Sequence, residues 1–205
     1  MNRDVLDETL VLVMKTKHAV EVIKANIEYH KKVGVDAFVI MDDGSNDGTR
    51  EVLGDLRKDG NMLLFDNPVT TKFDANSLEY MDMAKMAVNE FKADWIIGCD
   101  QDEFWVPRRS DNLKKEIDSR HAVLSCQRYN MMPTHRYLHN QDIPFYENTF
   151  KVKKPYEQKE YRESYEFRRP EPEYPVLMIN ILPKVICRTK GLRSMGIGQH
   201  TAEHE

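Results

Sequence analysis

Two acidic clusters in this 205-residue chain have the residue types and spacing to do chemistry. Asp42-Asp43-Gly44-Ser45-Asn46-Asp47 follows directly on an apolar run at 37–41 (AFVIM), and Asp100-Gln101-Asp102-Glu103-Phe104 follows one at 95–99 (WIIGC). Carboxylates brought close together repel unless something positive sits among them. Neither cluster contains a Lys or Arg, so the expected partner is a divalent cation. Asp100 and Asp102 offer hard oxygen donors suited to Mg²⁺ or Mn²⁺, ions that stay partly hydrated and share substrate phosphate oxygens. An ion held there would bridge a diphosphate and stabilise it as a leaving group.

The surrounding pattern predicts the elements that carry these clusters. Residues 10–14 (LVLVM), 37–41, 62–65, 95–99 and 122–126 read as short strands, the first apolar on both faces as in a buried parallel sheet. Between them lie helical spacings. Val20, Ile23, Ile27 and His30 form one stripe ending before Gly34; Ser45 or Asp47 caps a helix to about residue 58. Asp74 caps a longer helix with the stripe Leu78, Met81, Ala84, Val88, Phe91, and Ser110 or Asp111 starts another to about Arg120. Strands alternating with helices predict an α/β fold with a mainly parallel central sheet flanked by helices. In such sheets ligands bind beyond the carboxyl ends of the strands, so both acidic clusters fall on the binding edge. Residues 131–175, rich in Pro, Tyr and Phe, read as an irregular excursion of the same domain on the acceptor side. Residues 176–188 return to strand character, broken at Pro183. The tail to Glu205 shows no closing element, which fits a short family member or a truncated chain.

Composition narrows the function classes. At 40% hydrophobic and 31% charged residues, the chain can build a core. The balance of 30 basic to 34 acidic residues disfavours a nucleic-acid coat. Three widely spaced cysteines (Cys99, Cys126, Cys187) exclude a disulfide scaffold or zinc ribbon and read as buried thiols in a reducing, cytoplasmic setting. No run is long enough for an integral membrane segment, while a peripheral contact at the inner membrane face stays open.

The ordered features "EYHKKVGVD", "MDDGSNDGT" and "ADWIIGCDQDEFWVP", with a weaker echo in "LPKVICRTKG" and "GQH", resemble the family 2-like glycosyltransferases of GT-A (Rossmann-like) fold. The likeness is greatest to the branch whose DxD metal motif is followed by Glu-Phe, and it spans roughly residues 10–130. It implies an inverting transfer from a nucleotide-sugar, a UDP-sugar before other donors, to a glycan or lipid-linked acceptor in polysaccharide building. By the same resemblance Asp43 contacts the base, Lys15 lies in the nucleotide-binding first loop, and Asp100 touches the ribose side of the nucleotide. Asp100, Asp102 and the late His200 would hold the cation. The sequence has Lys15-Thr16-Lys17 where many relatives show Lys-Asn-Glu. An inverting enzyme needs a base for the acceptor hydroxyl. Asp142 and Glu147 lie in the right stretch, but the usual local pattern is absent.

Other readings compete. A non-catalytic binding protein that keeps the GT-A sheet would lack the base. A haloacid-dehalogenase-type phosphatase also ends a strand in DxD, but here the fifth position is Phe104 and the motif lies mid-chain. A nucleotidyltransferase would carry a glycine-rich loop after the first strand, and residues 15–19 (KTKHA) have none. The calcium-loop start at Asp43 fails at Gly54, where a Glu is required. His30 reads as a core histidine, and His135 and His139 as loop residues. The basic, aromatic stretch 151–170, with Tyr156, Tyr161, Tyr165 and Phe167, reads as a solvated loop or an acceptor surface.

Overall fold

The protein is described from a computed structural model that covers residues 4–67, 76–140, 142–143, 147–151 and 181–205. It divides into two compact units, residues 1–126 with 184–205, and residues 127–183.

The first unit is built on a six-stranded sheet. Its strands are β1 (Leu10–Thr16), β2 (Ala37–Asp42), β3 (Met62–Asp66), β4 (Trp95–Gly98), β5 (Val123–Cys126) and β8 (Lys184–Arg188), in the order β3-β2-β1-β4-β8-β5. β1 to β4 are parallel, while β8 runs antiparallel to both β4 and β5. All of β1 except half-buried Lys15 is buried, because successive side chains meet opposite cores. Leu10, Leu12 and Met14 join Ile23 and Ile27 of α1 (Ile23–Lys32) and Leu53 of α2 (Thr49–Leu56). Val11 and Val13 join Met83, Ala84 and Ala87 of α3 (Asn76–Phe91). The expected α/β fold with helices on both faces is what the structure contains.

Several local expectations change. The stripe of α1 is Ile23, Asn26, Ile27 and His30, with Val20 exposed ahead of the helix. Gly34 does end it, at φ +99°, and a Cβ there would run into the Asn112 side chain. Helix α2 is capped by Gly48 at φ +100°, not by Ser45 or Asp47. On α3 the buried face is Tyr80, Met83, Ala84 and Ala87, and Val88 points outward. Asp74 and the side chain of Leu78 lie outside the described residues. No helix forms over 110–120, only a single 3₁₀ turn at Leu113–Glu116. There the Ser110 hydroxyl donates to the Asn112 carbonyl and to Glu116, and Asn112 accepts from the Lys114 N–H, local bonds that compete with a helix. The tail does close the fold, as a hairpin of β9 (Leu192–Met195) and β10 (Ala202–His204). All three cysteines are free thiols, with Cys99 and Cys187 buried and Cys126 only half-buried. Among the described residues no helix is long and apolar enough to cross a membrane.

The second unit contains a two-stranded antiparallel ribbon of β6 (Met131–Pro133) and β7 (Thr149–Lys151), with Met132 opposite Phe150. Between them His135–His139 forms a short helix, α4, whose start is capped by Thr134 accepting from the Tyr137 N–H. His135 and His139 are therefore helical rather than loop residues, and their Nε2 atoms meet at 2.9 Å. Arg128 Nε donates to the Leu182 carbonyl at 2.7 Å, joining the two ends of the unit. Residues 152–180, which hold most of the basic aromatic stretch and the start of the expected strand at 176, lie outside the described residues.

Candidate active site

The site begins with the chain topology. Parallel strands deliver their last residues to one edge of the sheet. β1 brings Lys15 and Thr16, with Lys17 just beyond; the segment after β2 brings Asp43, and the segment after β4 brings Asp100, Gln101 and Asp102. These seven residues line one cavity of about 380 Å³.

Gln101, the residue between the two acids, joins the segments. Its Oε1 accepts from the Thr16 hydroxyl at 2.7 Å and the Lys17 N–H at 2.9 Å, and its Nε2 donates to the Lys17 carbonyl at 3.1 Å. The side-chain amide thus pairs with the Lys17 backbone much as a neighbouring strand would.

Asp43 accepts from Asn67 Nδ2 at 2.6 Å and faces Lys17 Nζ at 3.4 Å. The Asn67 hydrogen bond, with Lys15 and Lys17 adding their charge, holds its carboxyl below the usual range despite partial burial. The segment around it is stapled locally. Ser45 Oγ donates to Asp42 at 2.6 Å, and Asp47 accepts from the Thr49 hydroxyl at 2.6 Å and the Val20 N–H at 3.2 Å. The Thr49 hydroxyl is the main reason the Asp47 carboxyl sits at about 2. Buried Asp42 has Arg50 at 3.9 Å, and Arg50 reaches on to Asp66 at 3.0 Å.

The acidic turn after β4 is held from two other directions. From β8, Lys184 is 1% exposed, and its Nζ lies 2.8 Å from Asp100 Oδ2 and against Glu103 Oε2. Glu103 also accepts from the Asp100 N–H at 3.0 Å. Acids converging without a nearby Lys or Arg is therefore the expectation that the structure corrects. The cation comes from a strand some eighty residues away in sequence, which composition of the local segment cannot reveal. Burial still pushes the Asp100 carboxyl up, with Glu103 and Asp102 adding to that push and Lys184 opposing it.

From α1, Asn26 Nδ2 donates to the carbonyls of Gln101 at 3.1 Å and Glu103 at 2.7 Å. His30 completes the clamp. Its Nδ1 contacts Asn26 O and Oδ1, both at 2.9 Å, so the ring proton belongs on Nδ1. Nε2 then accepts from the Trp105 N–H at 3.1 Å. Desolvation lowers the imidazole to about 4, so the ring is neutral around pH 7. Phe104 stacks on it at 6.0 Å, with Tyr29 edge-on to both. His30 is the core histidine that the sequence suggests, and it also shapes the acidic turn.

Lys15, Asp43, Asp100 and Asp102 thus share one cavity, as expected. His200 does not line it. It follows the tight turn Ile197–Gln199, and its ring lies over Gly198, which sits at φ +66°. Among the described residues no three His, Cys, Asp or Glu side chains converge as a ready-made metal set. Asp142 and Glu147 belong to the second unit, where both are exposed. The residues missed by sequence reasoning are Asn26, Gln101 and Lys184. Asn26 had a readable signal, a polar residue four before His30 on the buried stripe. Lys184 had almost none, since a lysine at a strand start ordinarily faces water.

Comparison with known families gives the class as glycosyltransferase. The family model for glycosyltransferase family 92 matches residues 14–204, and the chain belongs to that family. The resemblance to family 2-like enzymes therefore holds at the level of glycosyltransferase, while the family shown is family 92; the phosphatase reading falls. Among solved structures, S. aureus TarS 1-349 in complex with UDP has 18% identity and a TM-score of 0.48, covering 88% of this chain and 47% of that one. The mannosyltransferase PcManGT from Pyrobaculum calidifontis, in complex with GDP-Man and Mn²⁺, has 16% identity and a TM-score of 0.42, covering 66% and 39%. This chain spans less than half the length of either. None of the curated proteins matches it.

Proposed function

We propose that the chain transfers a sugar from a nucleotide-diphosphate donor, a UDP-sugar before others, to a glycan or lipid-linked acceptor, with inversion at the anomeric carbon. The observation that carries this reading is the convergence of Lys15, Asp43, Asp100 and Asp102 on one cavity at the carboxyl edge of the sheet, in a chain of family 92. Asp43 takes the base, Lys15 and Lys17 face the nucleotide, and Asp100 takes the ribose side.

The donor set fits Mn²⁺ or Mg²⁺. Asp102 and Asp100 are hard oxygen donors lining one cavity, and a cation would favour the charged form of Asp100, which burial first and its acidic neighbours second oppose. Asp102 and Asp100 would hold the ion. His200 is left out because it does not line this cavity. When bound, the ion supplies charge compensation to the departing diphosphate. In the transfer, the acceptor oxygen bonds to the anomeric carbon as the carbon–oxygen bond to the diphosphate breaks. The acceptor proton passes to a carboxylate, for which Asp142 and Glu147 remain the candidates. Polysaccharide building at the cytoplasmic face of a membrane is the setting we infer.

Calorimetry with UDP tests the metal assignment. Binding should weaken on the order of 100-fold when EDTA replaces Mn²⁺, and by a similar factor in Asp102→Asn. Equal affinity with and without EDTA rules out the role given to Asp102. Slow hydrolysis across UDP-, GDP- and dTDP-sugars then identifies the donor.

A further inference from the structure

Lys184 has no counterpart in the reading above. It opens β8, the one antiparallel strand inserted between β4 and β5, opposite Cys126 at the end of β5. A parallel strand presents its last residue at the binding edge, whereas an antiparallel one presents its first. The inserted strand is therefore the element that can push a side chain from inside the sheet up under the acidic turn. Lys184 does this while almost wholly buried, and burying an ammonium is costly unless it is paired on several sides. Here it meets Asp100 Oδ2 at 2.8 Å and Glu103 Oε2, and Glu103 in turn binds the Asp100 backbone N–H.

We propose that Lys184 is a permanent counter-cation of the donor site, a positioning residue that makes the site take its divalent cation together with a nucleoside diphosphate rather than alone. The inference rests on the metal-dependent reading above. Asp100, Asp102 and Glu103 form a triply acidic turn, which by itself would attract free divalent ions. The buried ammonium offsets part of that charge and engages one of the two Asp100 oxygens. The turn is thereby assembled before any ion arrives, and its remaining attraction for a bare cation is weak. A diphosphate restores the balance by bringing negative oxygens of its own, which complete the ion's ligand shell and face Lys15 and Lys17. Glu103 sets how strongly Lys184 pulls on Asp100, since the two acids share one ammonium.

Electron paramagnetic resonance of Mn²⁺, titrated into the full chain with and without UDP, tests this at one fixed pH. The wild type should hold Mn²⁺ well only with UDP. Lys184→Met should raise affinity for free Mn²⁺ by about tenfold or more, and Lys184→Arg should behave like the wild type. Glu103→Gln, which leaves the ammonium wholly to Asp100, should weaken Mn²⁺ binding in the presence of UDP. The double variant should return toward wild-type values. A folded Lys184→Met protein, checked by circular dichroism, whose free Mn²⁺ affinity is unchanged or lower overturns the proposal. If that variant does not fold, an unchanged affinity in Glu103→Gln overturns it instead. A wild type that binds no Mn²⁺ even with UDP removes the metal-dependent reading and this inference with it, whereas normal wild-type binding beside inert variants removes this inference alone.

Discussion

The turn after β2 and the turn after β4 look alike in sequence, each a run of acids leaving an apolar strand, yet they are held by different means. The first is held mostly from within, since Ser45 bonds Asp42, Thr49 bonds Asp47 and Arg50 lies eight residues beyond Asp42, while Asn67 and Lys17 reach Asp43 and the Val20 N–H reaches Asp47 from outside the turn. The second is satisfied from a distance, by Asn26 and His30 on α1 and by Lys184 on β8. A locally held acid such as Asp42 depends little on how the rest of the chain packs. Remotely held acids exist as a site only once three separate elements have docked, so fold stability and site geometry are coupled at the β4 turn.

Substitutions in the two turns should separate these behaviours. The largest effect is expected from the pH dependence of His30. Its folded-state value of about 4 lies below the usual 6.5, so between those values the unfolded chain binds the proton and the folded chain does not. The contribution to stability is therefore complete above about pH 6.5, declines as pH falls, and is lost by about pH 4, a change on the order of 3 kcal/mol. Urea unfolding across that range should show it, and His30→Gln should flatten the slope. Fluorescence of Trp105 should change near pH 4, where the folded-state imidazole takes up its proton and Nε2 no longer accepts the Trp105 backbone N–H. A slope that survives in His30→Gln would assign the effect to other groups.

Asn26→Leu is expected to cost about 2 kcal/mol, since it strips a donor from two carbonyls inside the turn. It should also weaken UDP binding in Mn²⁺, because Asp100 and Asp102 lose the support behind their backbone. Destabilisation without any loss of UDP affinity would break the link between clamp and site. The smallest effect belongs to the β2 turn. Ser45→Ala removes the hydroxyl that bonds Asp42 and accepts from the His18 N–H, and should lower stability by about 1 kcal/mol, with UDP affinity nearly unchanged. A large loss of binding in that variant would mean that the two turns are not held differently after all.

Much of this was legible beforehand. The five strands at 10–14, 37–41, 62–65, 95–99 and 122–126 match β1 to β5; β1, β2 and β4 are buried on both faces and so read as short apolar runs, while β3 and β5 are only partly buried. The sharing of one cavity by Lys15, Asp43, Asp100 and Asp102 followed from strand direction alone. The helix expected at 110–120 did not, since Ser110, Asn112 and Glu116 spend their polar groups on each other. The α3 stripe was legible in part: Ala84 is buried and Met81 and Phe91 pack half-buried against the core, while Val88 faces outward and Tyr80, Met83 and Ala87 fill the rest of the buried face, because apolar residues occur on more than one side of that helix.

What the linear chain determined was the alternation of buried strands with helices and the placing of two acidic segments at strand ends, both consequences of local hydrophobic pattern. What the tertiary structure alone decided was the environment of those acids. An inserted antiparallel strand supplies Lys184, and a helix turned inward supplies Asn26 and His30. Electrostatic and hydrogen-bond partnerships act through space over a few ångströms, and the residues that meet at the β4 turn are separated by about eighty positions of chain on either side. Spacing along the sequence carries no record of that meeting.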